Sequence, residues 1–212
     1  MFTQKTAKVI LIVLVLNAIV LFFNIKDGIG RNDIMLRFHE KEAITFLSAL
    51  MLGLSSMVSL VMYLLSKKAN ILDKGYRFWA FVSFGFFYLC KDEYFMAHEG
   101  IDEAIGSLFG KNIKHLNLDN LVLAFFGLVA SGVCFYFRKE LIKHKQILPF
   151  FFLGAVGLLG TVVFHAFERV DIVYEVIEES FKLVGVSFFF AGFLVALTSF
   201  VKKLSISLPG NS

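Results

Sequence analysis

The stretch FFYLCKDEYFMAHEG, residues 86–100, runs from an oily helix into five ionisable side chains: Lys91, Asp92, Glu93, His98 and Glu99. At 100° per residue, Asp92 and Glu99 share one helical face, and Lys91 and His98 form the row beside it. A charge well inside hydrocarbon costs ~2.5–3.5 kcal/mol on insertion scales, so such a helix turns it toward the bundle interior or a partner. Later segments bring the same residue types to the same level. GTVVFHAFERVD sets His165 and Glu168 at i, i+3, and YEVIEESFKLVG puts Glu175, Glu178, Glu179 and Lys182 on one face. In that row Glu178 lies in reach of Lys182 and is expected to neutralise it. RFHEKEA adds His39, Glu40 and Glu42 at the head of another apolar run.

Converging imidazoles and carboxylates suit a divalent metal, zinc or iron, with two His and one carboxylate as the simplest open site. The expected ligands are His98, His165, Glu168, Asp92 and Glu178. Glu93, Glu99 and Glu179 are then the acid–base residues of a metal-dependent enzyme acting on a lipid or another membrane-borne substrate. A b-type haem held between His98 and His165 is a lesser reading, because a crowd of carboxylates makes a poor haem pocket. Ion transport is another, but only Ser and Thr, such as Ser55, Ser56, Ser59 and Thr198, carry polarity into the opposite half. HEGID at 98–102 has Asp102 where a helical zinc-protease motif needs its second His. A non-catalytic subunit of a larger membrane complex is the competing class. Plain structural roles also fit: Glu40, Glu42, Glu103, Asp171 and Glu175 as solvated or helix-start carboxylates. His39 and His115 fit as hydrogen-bonded helix-end residues, and Asp92 and Glu93 as partners of Lys91 or Lys182.

The elements that must position these groups are apolar helices. The chain is 58% hydrophobic with mean hydropathy +0.75, and its 18% charged residues fall below the roughly 25% of soluble domains. Six apolar runs lie near 9–25, 43–66, 77–98, 120–137, 147–168 and 176–201, each of the length a ~30 Å hydrocarbon core requires. The expected fold is all-α, a six-transmembrane-helix bundle forming one integral membrane domain over 1–212. Lys5 and Lys8 precede the first run, but no small-x-small cleavage site follows, so an uncleaved helix is expected. The first terminus, loops 2 and 4 and the last terminus hold twelve Lys and Arg, against seven in loops 1, 3 and 5. That excess places both termini in the cytoplasm. Fifteen of the seventeen acids, and every His but His144, gather at the other end.

Smaller signals complete the picture. Cys90 and Cys134 lie in different runs and read as buried free thiols. The net charge of +4 reflects lysines near lipid headgroups and gives no reason to invoke nucleic acid. GAVGLLG, GLVAS and GFLVA carry small residues at helical spacing, which lets membrane helices approach closely. Ile101, Ile105, Leu108 and Phe109 suggest a short interfacial helix in loop 3, with Asp119 and Asn120 capping the fourth run.

Asp92-Glu93-x4-His98-Glu99, followed by the pair Glu178-Glu179, resembles an uncharacterised group of small bacterial multi-span inner-membrane proteins. The resemblance covers the third to sixth runs, and Lys182 stands where a further acid is expected. It implies a bacterial inner-membrane location and no particular reaction.

Overall fold

The computed structural model describes residues 4–31, 38, 42–68, 75–95, 118–165 and 172–207, without the side chains of 118–124, 126, 172 and 204–207. All seven α-helices among them follow apolar runs or the link between two of them. They are α1 (Gln4–Gly30), α2 (Ala43–Lys68), α3 (Tyr76–Phe95), α4 (Leu118–Tyr136), α5 (Arg138–Lys143), α6 (Leu148–His165) and α7 (Ile172–Ser207). The chain is all-α, as its composition predicts. Among the described residues, four helices are long and apolar enough to cross a membrane: α1, α2, α6 with its preceding turn, and α7. α3 has 20 residues and carries Arg77, Lys91, Asp92 and Glu93, whereas α4 has 19. The loop 3 helix expected at Ile101–Phe109 lies outside the described residues.

Two antiparallel helix pairs build the core. In the first, α2 meets α3 with Ser48 opposite Glu93, Gly53 opposite Cys90 and Ser56 opposite Ser83. The last pair exchanges hydroxyl bonds: Ser56 Oγ donates to the Ser83 carbonyl at 2.8 Å, and Ser83 Oγ to the Ser56 carbonyl at 3.0 Å. Each bond satisfies a hydroxyl that lipid could not, and in membranes such a contact contributes about 0.6 kcal/mol. In the second pair, α6 crosses α7 at Gly157 and Gly185. A Cβ on Gly157 would lie 2.5 Å from the Gly185 Cα, and one on Gly185 would lie 3.0 Å from the Gly154 carbonyl. Phe189 and Phe181 cover Gly154 and Gly160, and Gly192 fits against Phe150 and Phe151. The small residues of GAVGLLG and GFLVA therefore do bring helices together.

α7 is the central element, since α1, α2 and α6 all pack on it. Asn17 of α1 is buried and accepts a hydrogen bond of 3.1 Å from Ser187 of α7, while its amide donates to the Val13 carbonyl. The largest core cluster joins Met62, Phe78, Trp79, Phe193, Ala196 and Phe200 to Leu141 and Ile147 of the fourth link. That link is itself helical: α5, His144 and the 3₁₀ turn Lys145–Ile147 fold back into the bundle.

α4 corrects one expectation. A methyl group added to Gly127 or Gly132, the glycines of GLVAS and its neighbour, would meet no other atom within 4 Å, so that motif makes no close packing among the described residues. Phe125, Leu128, Phe135 and Tyr136 are exposed, as is Cys134, which was expected to be buried. Val133 and the following Phe137 reach the main cluster.

Candidate functional site

The end of the bundle formed by the start of α2, the end of α3, the end of α6 and the start of α7 holds a buried polar cluster. Its centre is Lys182, two turns past the start of the α7 acid row. The ammonium lies 3.1 Å from Glu93 Oε1 on α3 and pairs with Glu179 Oε1, one turn back on its own helix. Ser48 of α2 adds its hydroxyl, 3.1 Å from Glu93 Oε1 and 2.9 Å from the Ile44 carbonyl, so its single proton is shared between them. Three helices are thus tied at one point by charge-assisted bonds, the stronger class of hydrogen bond. Of the partners expected for Lys182, the structure gives it Glu93 but not Glu178, and adds Glu179. Glu178 turns toward α6, and neighbours on a helix do not face the same way.

Glu178 pairs with His165 across the α6–α7 hairpin. The ring Nδ1 lies 3.1 Å from Glu178 Oε1. In neutral His the nitrogen facing a carboxylate carries the proton, which leaves Nε2 as the lone-pair nitrogen. Carboxylate-held imidazoles of this form are the usual way proteins orient a metal ligand. The second oxygens of Glu178 and Glu179 are both buried and meet no hydrogen-bond donor among the described residues. Such atoms are costly unless something donates to or coordinates them.

Of the sequence-derived candidates, Glu93, His165, Glu178 and Glu179 converge on this end of α7. Asp92 is also buried, on the last described turns of α3, whereas Lys91 is exposed. His98, Glu99 and Glu168 lie outside the described residues, as do His39, Glu40, His115 and Asp171. Among the described residues no three His, Cys, Asp or Glu side chains stand close enough together to hold a metal. What the described half supplies is one oriented imidazole, two orphaned carboxylate oxygens and an ion-paired triad.

The opposite end has a smaller polar feature that sequence reasoning missed. Glu140 of α5 accepts a 2.9 Å bond from Lys143 and lies 3.6 Å from His144 Nε2, an electrostatic rather than a hydrogen-bonding distance. The His144 ring is buried edge-on to Trp79, with centroids 5.4 Å apart. The Glu140 carboxylate presses on Gly75, where an added Cβ would collide with it. That places a negative charge at the start of α3, where the helix dipole favours it. The signals for it in the sequence are the sole His of that end and the Gly75 turn, both of which read as loop.

The chain belongs to a known family. Residues 7–197 match the family described as "Domain of unknown function (DUF8692)". The match spans α1 through most of α7, so the polar cluster and the α6–α7 crossing both fall inside the family region. No curated protein and no solved structure matches the chain.

Proposed function

We propose that the protein is a six-span inner-membrane bundle of bacterial type, with both termini cytoplasmic, that binds a divalent metal at its outer end. α3 and α4 complete the six spans: at 1.5 Å per residue each is about 30 Å long, the thickness of the hydrocarbon core. The excess of Lys and Arg on the other side supports the orientation.

One observation carries the metal reading. His165 is held through Nδ1 by a carboxylate whose second oxygen is buried without a donor among the described residues. Two carboxylates, Glu93 and Glu179, share one ammonium, and surplus negative charge in a low-dielectric site favours a bound cation. His165 would contribute Nε2, and Glu178 would hold the ring or share the ion through Oε2. His98, Glu168 and Asp92 complete the proposed ligand set. Such a centre, zinc or iron, supplies Lewis-acid chemistry at the membrane surface. A role as an enzyme on a lipid or other membrane-borne substrate would use Glu93, Glu99 and Glu179 as acid–base groups. The pairing of Glu93 and Glu179 with Lys182 favours an electrostatic role for these two.

The test is metal analysis of detergent-purified protein. Stoichiometric zinc or iron is expected in the wild type and should be lost in His165→Ala and in the His98→Ala, His165→Ala double variant. Wild-type protein that is folded by circular dichroism yet metal-free would overturn the reading.

A second reading, a non-catalytic subunit of a larger membrane complex, is favoured by α4. Its open glycines, Gly127 and Gly132, and its exposed aromatic face offer a surface for a partner helix. A stable complex co-purifying with metal-free protein would support it.

A further inference from the structure

We propose that the Lys182 ammonium is a tethered cation occupying a second divalent-metal position, between Glu93 and Glu179. The inference rests on the same outer-end cluster as the function proposed above, but on the arm that the His165–Glu178 pair does not use.

The position has the attributes of a hard-cation site. Its donors are all oxygen: Glu93 Oε1, Glu179 Oε1 and the Ser48 hydroxyl beside them. They come from three different helices, α3, α7 and α2, of which α2 packs against both of the others. Oxygen donors suit magnesium, manganese and zinc-like ions, whose bonds are about 2.0–2.2 Å. The ammonium now lies 3.1 Å from Glu93 Oε1, so the carboxylates need to close by roughly 1 Å to hold a metal. Glutamate side chains make that adjustment by rotamer. The same carboxylate carries an oxygen without a partner: Glu179 Oε2 is buried and meets no donor among the described residues. Glu179 itself is 5% exposed, so that oxygen has no recourse to bulk water.

Lys182 fills this position without closing it. A lysine is a point charge on a flexible four-carbon stem, with no fixed fork to lock two carboxylates in one geometry. Its side chain is 17% exposed. As long as it stays, it offsets one of the two carboxylate charges and competes with any external ion. Removing it leaves two buried carboxylates uncompensated, a strongly destabilising state, and creates a demand for a cation at that point.

Lys182→Met is therefore expected to unfold at a lower temperature than wild type in chelator, and to be restored by Co2+ or Zn2+ but not by Na+. Its affinity for Co2+ should exceed that of wild type by roughly ten- to hundredfold, the equivalent of one charge-assisted bond. The double variant Glu93→Gln, Lys182→Met removes one charge of each sign and leaves Glu179 as the single carboxylate there. It should regain stability in chelator and lose the extra metal response. An equal metal response in Lys182→Met and wild type overturns the proposal. So does failure to recover folded Lys182→Met in metal when the double variant is recovered. The two readings separate cleanly. Wild-type metal that depends on His165, with no gain in Lys182→Met, sinks this inference alone. Metal-free wild type with a metal-responsive Lys182→Met sinks only the function proposed above.

Discussion

Glu140 sits between the His144 ring and the Lys143 ammonium, and the polar contact with the His144 ring first, and Lys143 second, hold its carboxyl below the usual carboxylate range against the opposing effect of burial. A carboxyl whose folded value is lowered contributes stability above its ordinary value of 4.5. It loses that contribution as pH falls through the folded value. The wild type is therefore expected to lose thermal stability on acidification below about pH 4.5. Glu140→Gln should be less stable at neutral pH by on the order of 1 kcal/mol, the scale of a bond to a charged group, and flatter across the acid window. Parallel acid titrations of the two melting temperatures would expose an error. If both fall alike, Glu140 does not clamp α5 to the start of α3.

At the scale of elements, the glycines sort into two groups that look alike in sequence. Gly157 and Gly185 let α6 and α7 touch backbone to backbone, whereas Gly127 and Gly132 on α4 face open space. Without a hydrophobic force between helices in lipid, close van der Waals contact is a main source of association. Gly157→Leu should force the hairpin apart and lower stability by about 1–3 kcal/mol or more, as overpacking does. It should also pull His165 away from Glu178, because both lie on that hairpin. Gly127→Ala should be neutral or stabilising by up to roughly 1 kcal/mol, since alanine is the better helix former. Unfolding in a denaturing detergent titration measures both. Equal losses at the two sites would refute the crossing as the organising contact.

For the whole molecule, the orientation proposed from the distribution of charge can be mapped directly. The polar cluster and the Glu140–His144 feature lie at opposite ends of the same helices, α3 for instance running from Gly75 at one to Glu93 at the other. With both natural cysteines replaced, single cysteines at Lys8 and Lys203 should be shielded from an impermeant thiol reagent in intact cells and labelled after permeabilisation. A cysteine at Glu103 should label in intact cells. Labelling of Lys203 from outside would leave an odd number of crossings and defeat the six-span arrangement.

What the sequence determined by itself was set by solvent. Hydrocarbon allows only apolar helices of a certain length, so the described part of each of the six apolar runs is helical, and the charged groups had to gather toward the helix ends. Tertiary structure alone decided the partners. Whether Lys182 meets Glu178 or Glu179 depends on which face of α7 turns to α3, and both lie within helical reach of it along the chain. Whether GLVAS is a contact or a bare surface depends on which helix lies beside α4. The inward fold of α5, which buries His144 against Trp79, left no mark in a local pattern of charged loop residues. Periodicity records which side chains leave a helix together; it carries no information about the neighbour they meet.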